Sequence, residues 1–285
     1  MKRVLIIIPA YNVAEQVETV LCGLKDYKDN CLIVNDGSTD NTSEKVKREG
    51  FNTIDLPYNS GVSKAVLAGL NYSLENNYQY AVLMDADGQH NPHDIGKFIN
   101  ALNKHDIVFA NRFDSSALVP SCKIAANGFA SAIYKAISGD FIPDVSCGFK
   151  AFRISQDLVS YLKASESYSV VYRLVNYALL NNKPTFFIPI NAIYSPNELL
   201  CTRTNELESL ISSAIELERH CHTSSIAHVP LNMLYQSVLS HQNFEISLCG
   251  IHFFAFYLNS YDSFIIQASL KEVQNYYMKK GVLDV

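Results

Sequence analysis

The chain has 285 residues, 48% hydrophobic and 18% charged, which places it among globular proteins with length for one large domain or two modest ones. Its formal net charge of −5 gives no general attraction to polyanions, and no basic patch offsets it, so a nucleic-acid partner is set aside. Seven cysteines, scattered singly and odd in number, have neither zinc-ribbon spacing nor a compact disulfide pattern, which points to a reducing compartment.

The run Val4 to Ile8 has no polar alternation, as expected of a strand covered on both faces, and it ends at Pro9, too early for a secretory segment. Val13, Val17, Val20, Leu21 and Leu24 then recur at helical spacing. Cys31 to Val34 is a second strand that runs into the turn Asn35-Asp36-Gly37-Ser38, and a polar helix follows through about Glu49. The cycle repeats with a strand at Thr53 to Leu56 and a helix marked by Val62, Val66, Leu67, Leu70 and Leu74. Tyr80 to Met84 is a further strand, the polar turn Asp85 to Asn91 follows it, and a helix after Pro92 carries Ile95, Phe98, Ile99 and Leu102. Ile107 to Ala110 closes this series.

Beyond it, helices are expected at 121–138, 156–162 and 168–181, an irregular stretch reaches Arg153, and Phe186 to Ile190 reads as one more strand. A helix is expected from about Asn205 to His220, after which no usable period remains. The segment Ile246 to Leu258 reads as buried core, or as an aromatic-rich surface that rests on a membrane. No stretch reaches the roughly 18 to 20 apolar residues a spanning helix needs. The expected location is cytoplasmic, with peripheral contact at the inner face of a membrane as a further option.

Alternating strands and helices predict a doubly wound α/β sheet, whose ligands sit beyond the carboxyl ends of the strands. Asp36, Asp85 and Asp87 all fall at such ends. Two carboxylates separated by one residue, as in Asp85-Ala86-Asp87, can face a hard cation while a substrate diphosphate and water complete its shell. Such a cation neutralises charge on a departing diphosphate. His220-Cys221-His222 lacks partners at ordinary zinc spacing and reads as a helix end or loop.

Taken in order, Ile8-Pro9-Ala10-Tyr11-Asn12, Val34-Asn35-Asp36-Gly37-Ser38-Thr39-Asp40, Asn59-Ser60-Gly61 and Met84-Asp85-Ala86-Asp87-Gly88-Gln89-His90 resemble the signatures of family-2 glycosyltransferases. Asn111-Arg112-Phe113 and Asp144 to Lys150 extend the resemblance, in particular to the dolichyl- and polyprenyl-phosphate mannose or glucose synthases, over about residues 3 to 195. The resemblance implies a GT-A (Rossmann-like) domain over 1–204, leaving 205–285 as a predominantly helical C-terminal extension of unknown role. It implies that Pro9, Ala10, Tyr11, Asn12, Asp36, Asn59, Lys64, Asp85 and Ala86 border the nucleotide, and that Asp85, Asp87 and Gln89 hold Mg²⁺ or Mn²⁺ with the diphosphate. Arg112 then lies near an acceptor or donor phosphate, which its guanidinium fork suits. Lys123 and Arg153 are weaker candidates for the same anionic pocket.

The activity implied is inverting transfer of a hexose from a GDP- or UDP-sugar to a polyprenyl phosphate or to a glycan or protein hydroxyl. A polyprenyl phosphate needs no base, whereas a hydroxyl does, and Asp144 is then the first residue to consider. Nucleotidyl transfer and a non-catalytic sugar-nucleotide-binding protein are the rival readings. The chain departs from the family at Asn35, at Val171 and Arg173, and at Phe187, where acidic residues are expected, and it lacks the serine-histidine or serine-lysine signature after Tyr194.

Overall fold

The computed structural model describes residues 3–114, 119–194, 202–221, 230–258 and 262–278. The segment after Tyr194 in which the missing signature was sought, and His222, lie outside them. In chain order the first half comprises β1 (Val4–Ala10), α1 (Val17–Gly23), β2 (Cys31–Asn35), α2 (Thr42–Arg48), β3 (Asn52–Asp55) and α3 (Val62–Glu75). There follow β4 (Tyr80–Leu83), α4 (Ile95–Ala101), β5 (Ile107–Asn111) and α5 (Ser121–Ser138), then β6 (Lys150–Arg153), α6 (Gln156–Leu162), α7 (Ser169–Leu180) and β7 (Thr185–Pro189). The remainder is β8 (Thr202–Arg203), α8 (Thr204–His220), α9 (Leu231–Leu239), β9 (Phe244–Leu248), β10 (Ile251–Leu258), β11 (Ser263–Ala268) and α10 (Leu270–Met278).

Seven strands form the main sheet in the order β3-β2-β1-β4-β6-β5-β7, parallel except for β6, which runs antiparallel to both β4 and β5. The order reverses between β1 and β4, so a crevice opens beyond their carboxyl ends, where Pro9 to Asn12 and Asp85 to Asp87 sit. Both faces of the sheet are covered. On one, Val17, Val20 and Leu21 of α1, Val46 of α2 and Phe98 of α4 pack against Ile6, Ile8 and Ile33. On the other, α3, α5, α6 and α7 pack against Leu5, Ile7 and Phe109. This double cover explains why β1, β2, β4 and β5 read as continuous apolar runs.

Helix ends follow local chemistry. The Ser155 hydroxyl accepts the Leu158 N–H at 3.1 Å and starts α6, and Gly139 with φ +79° ends α5 in the left-handed conformation.

The stretch before Arg153, expected to be irregular, contains β6. A strand of four residues carries too little pattern to signal itself, and its pairing partners are distant in sequence. Because β6 runs backwards, Arg153 lies beside Tyr80, at the opposite edge of the sheet from the crevice, and pairs with Asp106 at 2.7 Å. That removes Arg153 from the anionic pocket.

Helical residues outnumber strand residues in the extension, but its strands build a second, antiparallel sheet in the order β8-β11-β10-β9 that the sequence reading does not foresee. The turn between β9 and β10 is the pair Cys249 and Gly250, both at positive φ, as a two-residue type I′ hairpin requires. Ile246, Leu248, Ile251, Phe253 and Ala255 face inward, whereas Phe254 and Phe256 are exposed, so only half of the segment expected as core is buried. Leu207, Leu210, Ile211 and Phe253 join the same apolar cluster as Leu5 and Ile7, so the extension shares its core with the main sheet. No helix among the described residues is long and apolar enough to cross a membrane.

Candidate active site

The crevice is built from three loops. The first, after β1, is locked to the loop after β2: the Asn12 backbone, at φ +51°, donates to Ser38 Oγ at 3.0 Å, and its side-chain Oδ1 accepts from the Thr39 N–H at 2.9 Å. Thr42 Oγ1 and Asp40 Oδ2 accept from the N–H groups of Val13 and Ala14. Tyr11 is left exposed on the rim, while Ala10 and Ala86 bury their methyl groups in the core and can meet a ligand through backbone alone.

Asp36 reaches the crevice but is buried, at 3% exposure, and its carboxylate is engaged. Oδ1 accepts from the Ser60 N–H and Oδ2 from the Gly61 N–H, both at 2.8 Å, which straps the loop before α3 across the end of β2. Gly37, at φ +65°, lies under this strap, and a Cβ there would come within 2.3 Å to 2.6 Å of the Tyr58 and Asn59 backbone. Asn59 and Lys64 are exposed beside it, and Tyr58 adds a second exposed aromatic ring. Asn35 replaces an acidic residue with a bridging amide: its Nδ2 donates to Asp55 Oδ1 at 2.8 Å and its Oδ1 accepts from the Ser38 N–H.

The third loop presents the carboxylates. Asp85 is partly exposed, and Asp87, more open, accepts from the Gln89 N–H at 2.9 Å. Behind them the buried His90 ring accepts the Asp85 N–H at Nδ1, at 3.2 Å, which leaves Nε2 facing Cys147 Sγ at 3.5 Å. Phe149, stacked on Phe98, closes against the same ring. Gly148 passes so close that a Cβ would lie 2.5 Å from Asp85 Oδ2. The donor set is all oxygen, which fits a hard divalent cation. Among the described residues no group of three or more His, Cys, Asp or Glu side chains could hold a metal alone, so a diphosphate and water would have to complete the shell.

The loop before β6 turns on Arg112 and Asp144. Asp144 is fully buried, and the Arg112 guanidinium grips it through Nε to Oδ2 at 2.7 Å and through Nη2 to Oδ1 at 2.8 Å. The backbone N–H groups of Arg112 and Cys147 also point at this carboxylate. Burial works against the guanidinium charge, and Asp144 beside it more than restores it, holding its pKa above the ordinary arginine value. The arrangement gives Asp144 the geometry of an anchor and takes away the open lone pair a general base would need. Ser146 Oγ accepts from Arg112 Nη2 at 2.9 Å. The buried Asn127 of α5 bolts this loop down, donating to the Pro143 carbonyl at 2.7 Å and accepting from the Val145 N–H.

Four further residues outside the candidate set frame the site. Lys150 is completely buried and donates to the Cys147 and Val145 carbonyls at 2.6 Å and 3.3 Å. Burial pulls it down to about 8, against the opposing effect of Cys147 and Asp144. Tyr277 of α10 accepts a hydrogen bond from Asn127 at 2.7 Å, and its ring stacks on Phe113. Glu206, in the first turn of α8, is raised by burial, with Arg203 and Lys123 opposing the rise and Asp85 adding to it. The place where a family glutamate was expected holds Arg173 instead, paired with Glu216 of α8. Tyr277 and Arg173 meet partners from remote segments, so spacing along the chain could not have revealed them.

The contact between Gly148 and Asp85 carries a prediction. Gly148→Ala should displace the Asp85 carboxylate and weaken Mn²⁺-dependent binding of a nucleoside diphosphate at least tenfold, about 1.4 kcal/mol. Calorimetric titration of the folded variant checks it, and unchanged affinity would show that Asp85 does not need this close approach.

Comparison with known proteins agrees with this geometry. A UDP-N-acetylglucosamine–dolichyl-phosphate N-acetylglucosaminyltransferase of Methanococcus voltae is 29% identical, over 68% of this chain and 87% of its own length. An undecaprenyl-phosphate mannosyltransferase of Micrococcus luteus is 28% identical, over 58% and 72%. The fold is that of glucosyl-3-phosphoglycerate synthase from Mycobacterium tuberculosis, solved with UDP, which matches 75% of this chain and 80% of its own at a TM-score of 0.59 and 15% identity. Residues 5–158 match the family described as Glycosyl transferase family 2, and the chain belongs to that family of glycosyltransferases.

Proposed function

We propose that this glycosyltransferase moves a hexose from a nucleoside-diphosphate sugar to a polyprenyl phosphate, with inversion at the anomeric carbon. The observation that carries the reading is the Arg112–Asp144 pair: the carboxylate best placed to be a base is spent holding a guanidinium, which favours an acceptor that is already an oxyanion. Two relatives whose names include dolichyl or undecaprenyl phosphate support the same class. The exposed, stacked pair Phe254 and Phe256 supports contact with the bilayer that would carry such a lipid.

In this reading Tyr11, Tyr58, Asn59 and Lys64 border the nucleotide, and Asp36 shapes their loop. Asp85 and Asp87, with Gln89, hold Mg²⁺ or Mn²⁺ against the diphosphate; structures of the mycobacterial synthase with Mn²⁺ and UDP support a divalent cation. Charge that builds on the departing diphosphate is neutralised by that cation when bound. The acceptor phosphate, oriented by Arg112 with Lys123, attacks the anomeric carbon, and the bonding pair to the donor oxygen leaves with the nucleoside diphosphate. A second reading, transfer to a glycan hydroxyl, is favoured by one observation: Glu206 is a carboxylate raised by burial near Asp85, as a general base would be.

Asp87→Ala should abolish metal-dependent donor binding while leaving the fold intact, since its side chain is exposed; titration of a UDP-sugar with Mn²⁺ showing undiminished affinity would remove Asp87 from the metal site. Arg112→Lys keeps a positive charge beside Asp144 but loses the bidentate fork. Transfer of radiolabelled sugar to short-chain polyprenyl phosphate should fall at least tenfold, and by more than donor affinity falls. Transfer only to a soluble glycan, unaffected by Arg112→Lys and lost in Glu206→Gln, would favour the second reading.

A further inference from the structure

The start of α7, the middle of α8 and Tyr235 of α9 line a half-open cleft of about 290 Å³. Its size falls just below the ~300–1,000 Å³ typical of ligand pockets, and its lining is not the usual apolar one. Hydroxyls come from Ser167 and Ser169 on the α7 side and from Ser209, Ser212 and Ser213 on α8. Glu208, whose carboxylate accepts from Tyr235 Oη at 3.2 Å, adds an acceptor beside an aromatic ring. We propose that this cavity is a second binding site, for a neutral polyhydroxylated ligand of the size of one sugar ring.

Charge excludes anions, and the hydroxyl-rich lining points to a polyhydroxylated ring. Among the described residues of the lining, the cation Arg173 is neutralised by Glu216, to which it is paired, so Glu166 and Glu208 leave the cavity net negative. A phosphate, a diphosphate or a sugar nucleotide is repelled. Serine hydroxyls both donate and accept, carboxylates accept, and a tyrosine ring offers an apolar face with a polar tip, which together match a ring carrying hydroxyls on its edge. Ser212 Oγ donates to the Ser209 carbonyl at 3.2 Å, which orients it and leaves its lone pairs to accept.

The cavity is also tied to the nucleotide loop. The carbonyls of Ser167 and Glu166 accept from the Ser63 N–H at 3.0 Å and from Ser63 Oγ at 3.2 Å, and Gly61, two residues before Ser63, donates to Asp36. A ligand that orders residues 166–169 therefore acts on the strap that Asp36 holds, and the two sites are linked.

The test uses methyl glycosides of glucose, mannose and N-acetylglucosamine, with spermidine as the cationic control, followed by saturation-transfer NMR and calorimetry on the full chain. At least one glycoside should bind at millimolar concentration, Ser212→Phe should weaken it at least tenfold by filling the cavity, and Asp85→Ala should leave it unchanged. Should Ser212→Phe not fold, Glu208→Gln serves with the same expected direction. The proposal is overturned by binding of spermidine alone, by no glycoside binding, by glycoside binding that survives the cavity variant, or by binding that requires Asp85.

Discussion

The buried pair of Arg112 and Asp144 is the constraint on which the two halves of the site depend. Arg112 follows β5, and Asp144 lies midway along the loop that leads into β6, so the pair joins the end of one strand to the segment entering its antiparallel neighbour. That segment carries Ser146 to Arg112, Cys147 to His90, and Gly148 to Asp85. The Asp144 loop and the Asp85 loop are thus held in register by one ion pair. Two charges removed from water lose hydration, and the attraction between them offsets this only with good geometry and further hydrogen bonds. Asp144 has both: a bidentate guanidinium and two backbone N–H groups.

The extension completes this arrangement. Tyr277 holds Asn127, which in turn holds the Pro143 to Val145 backbone. Glu206 brings a carboxylate near Asp85, and Glu216 meets Arg173. Residues 5–158 match the family, but the groups that brace the loop around Asp144 and edge the crevice also come from after residue 200. Substitution in the extension is therefore expected to reach the site through Asn127 and α8.

In the first half of the chain β1, β2, β4 and β5 were legible because they are covered on both faces, and α1, α3 and α4 because they keep a 3.6-residue period. The Asp85-Ala86-Asp87 loop was legible because its motif and its place after β4 agree. What could not be read was pairing between remote segments. Asp36 looked like a ligand contact, yet its oxygens hold Ser60 and Gly61. Asp144 looked like a base, yet only the fold brings Arg112 to it. The β10 strand hid its alternation because aromatic residues occupy both of its faces, Phe253 inward and Phe254 and Phe256 outward.

The central claim is that Asp144 acts by anchoring Arg112 and, through it, the loop that meets Asp85. The most direct measurement is the pair of urea unfolding and donor titration with Mn²⁺ on Asp144→Asn. The account predicts that both fall, stability by about 3 kcal/mol, since the guanidinium loses its buried counter-charge, and donor affinity because Gly148 is no longer held against Asp85. Unchanged stability and unchanged donor affinity, with turnover alone lost, would contradict it and return Asp144 to the role of a base.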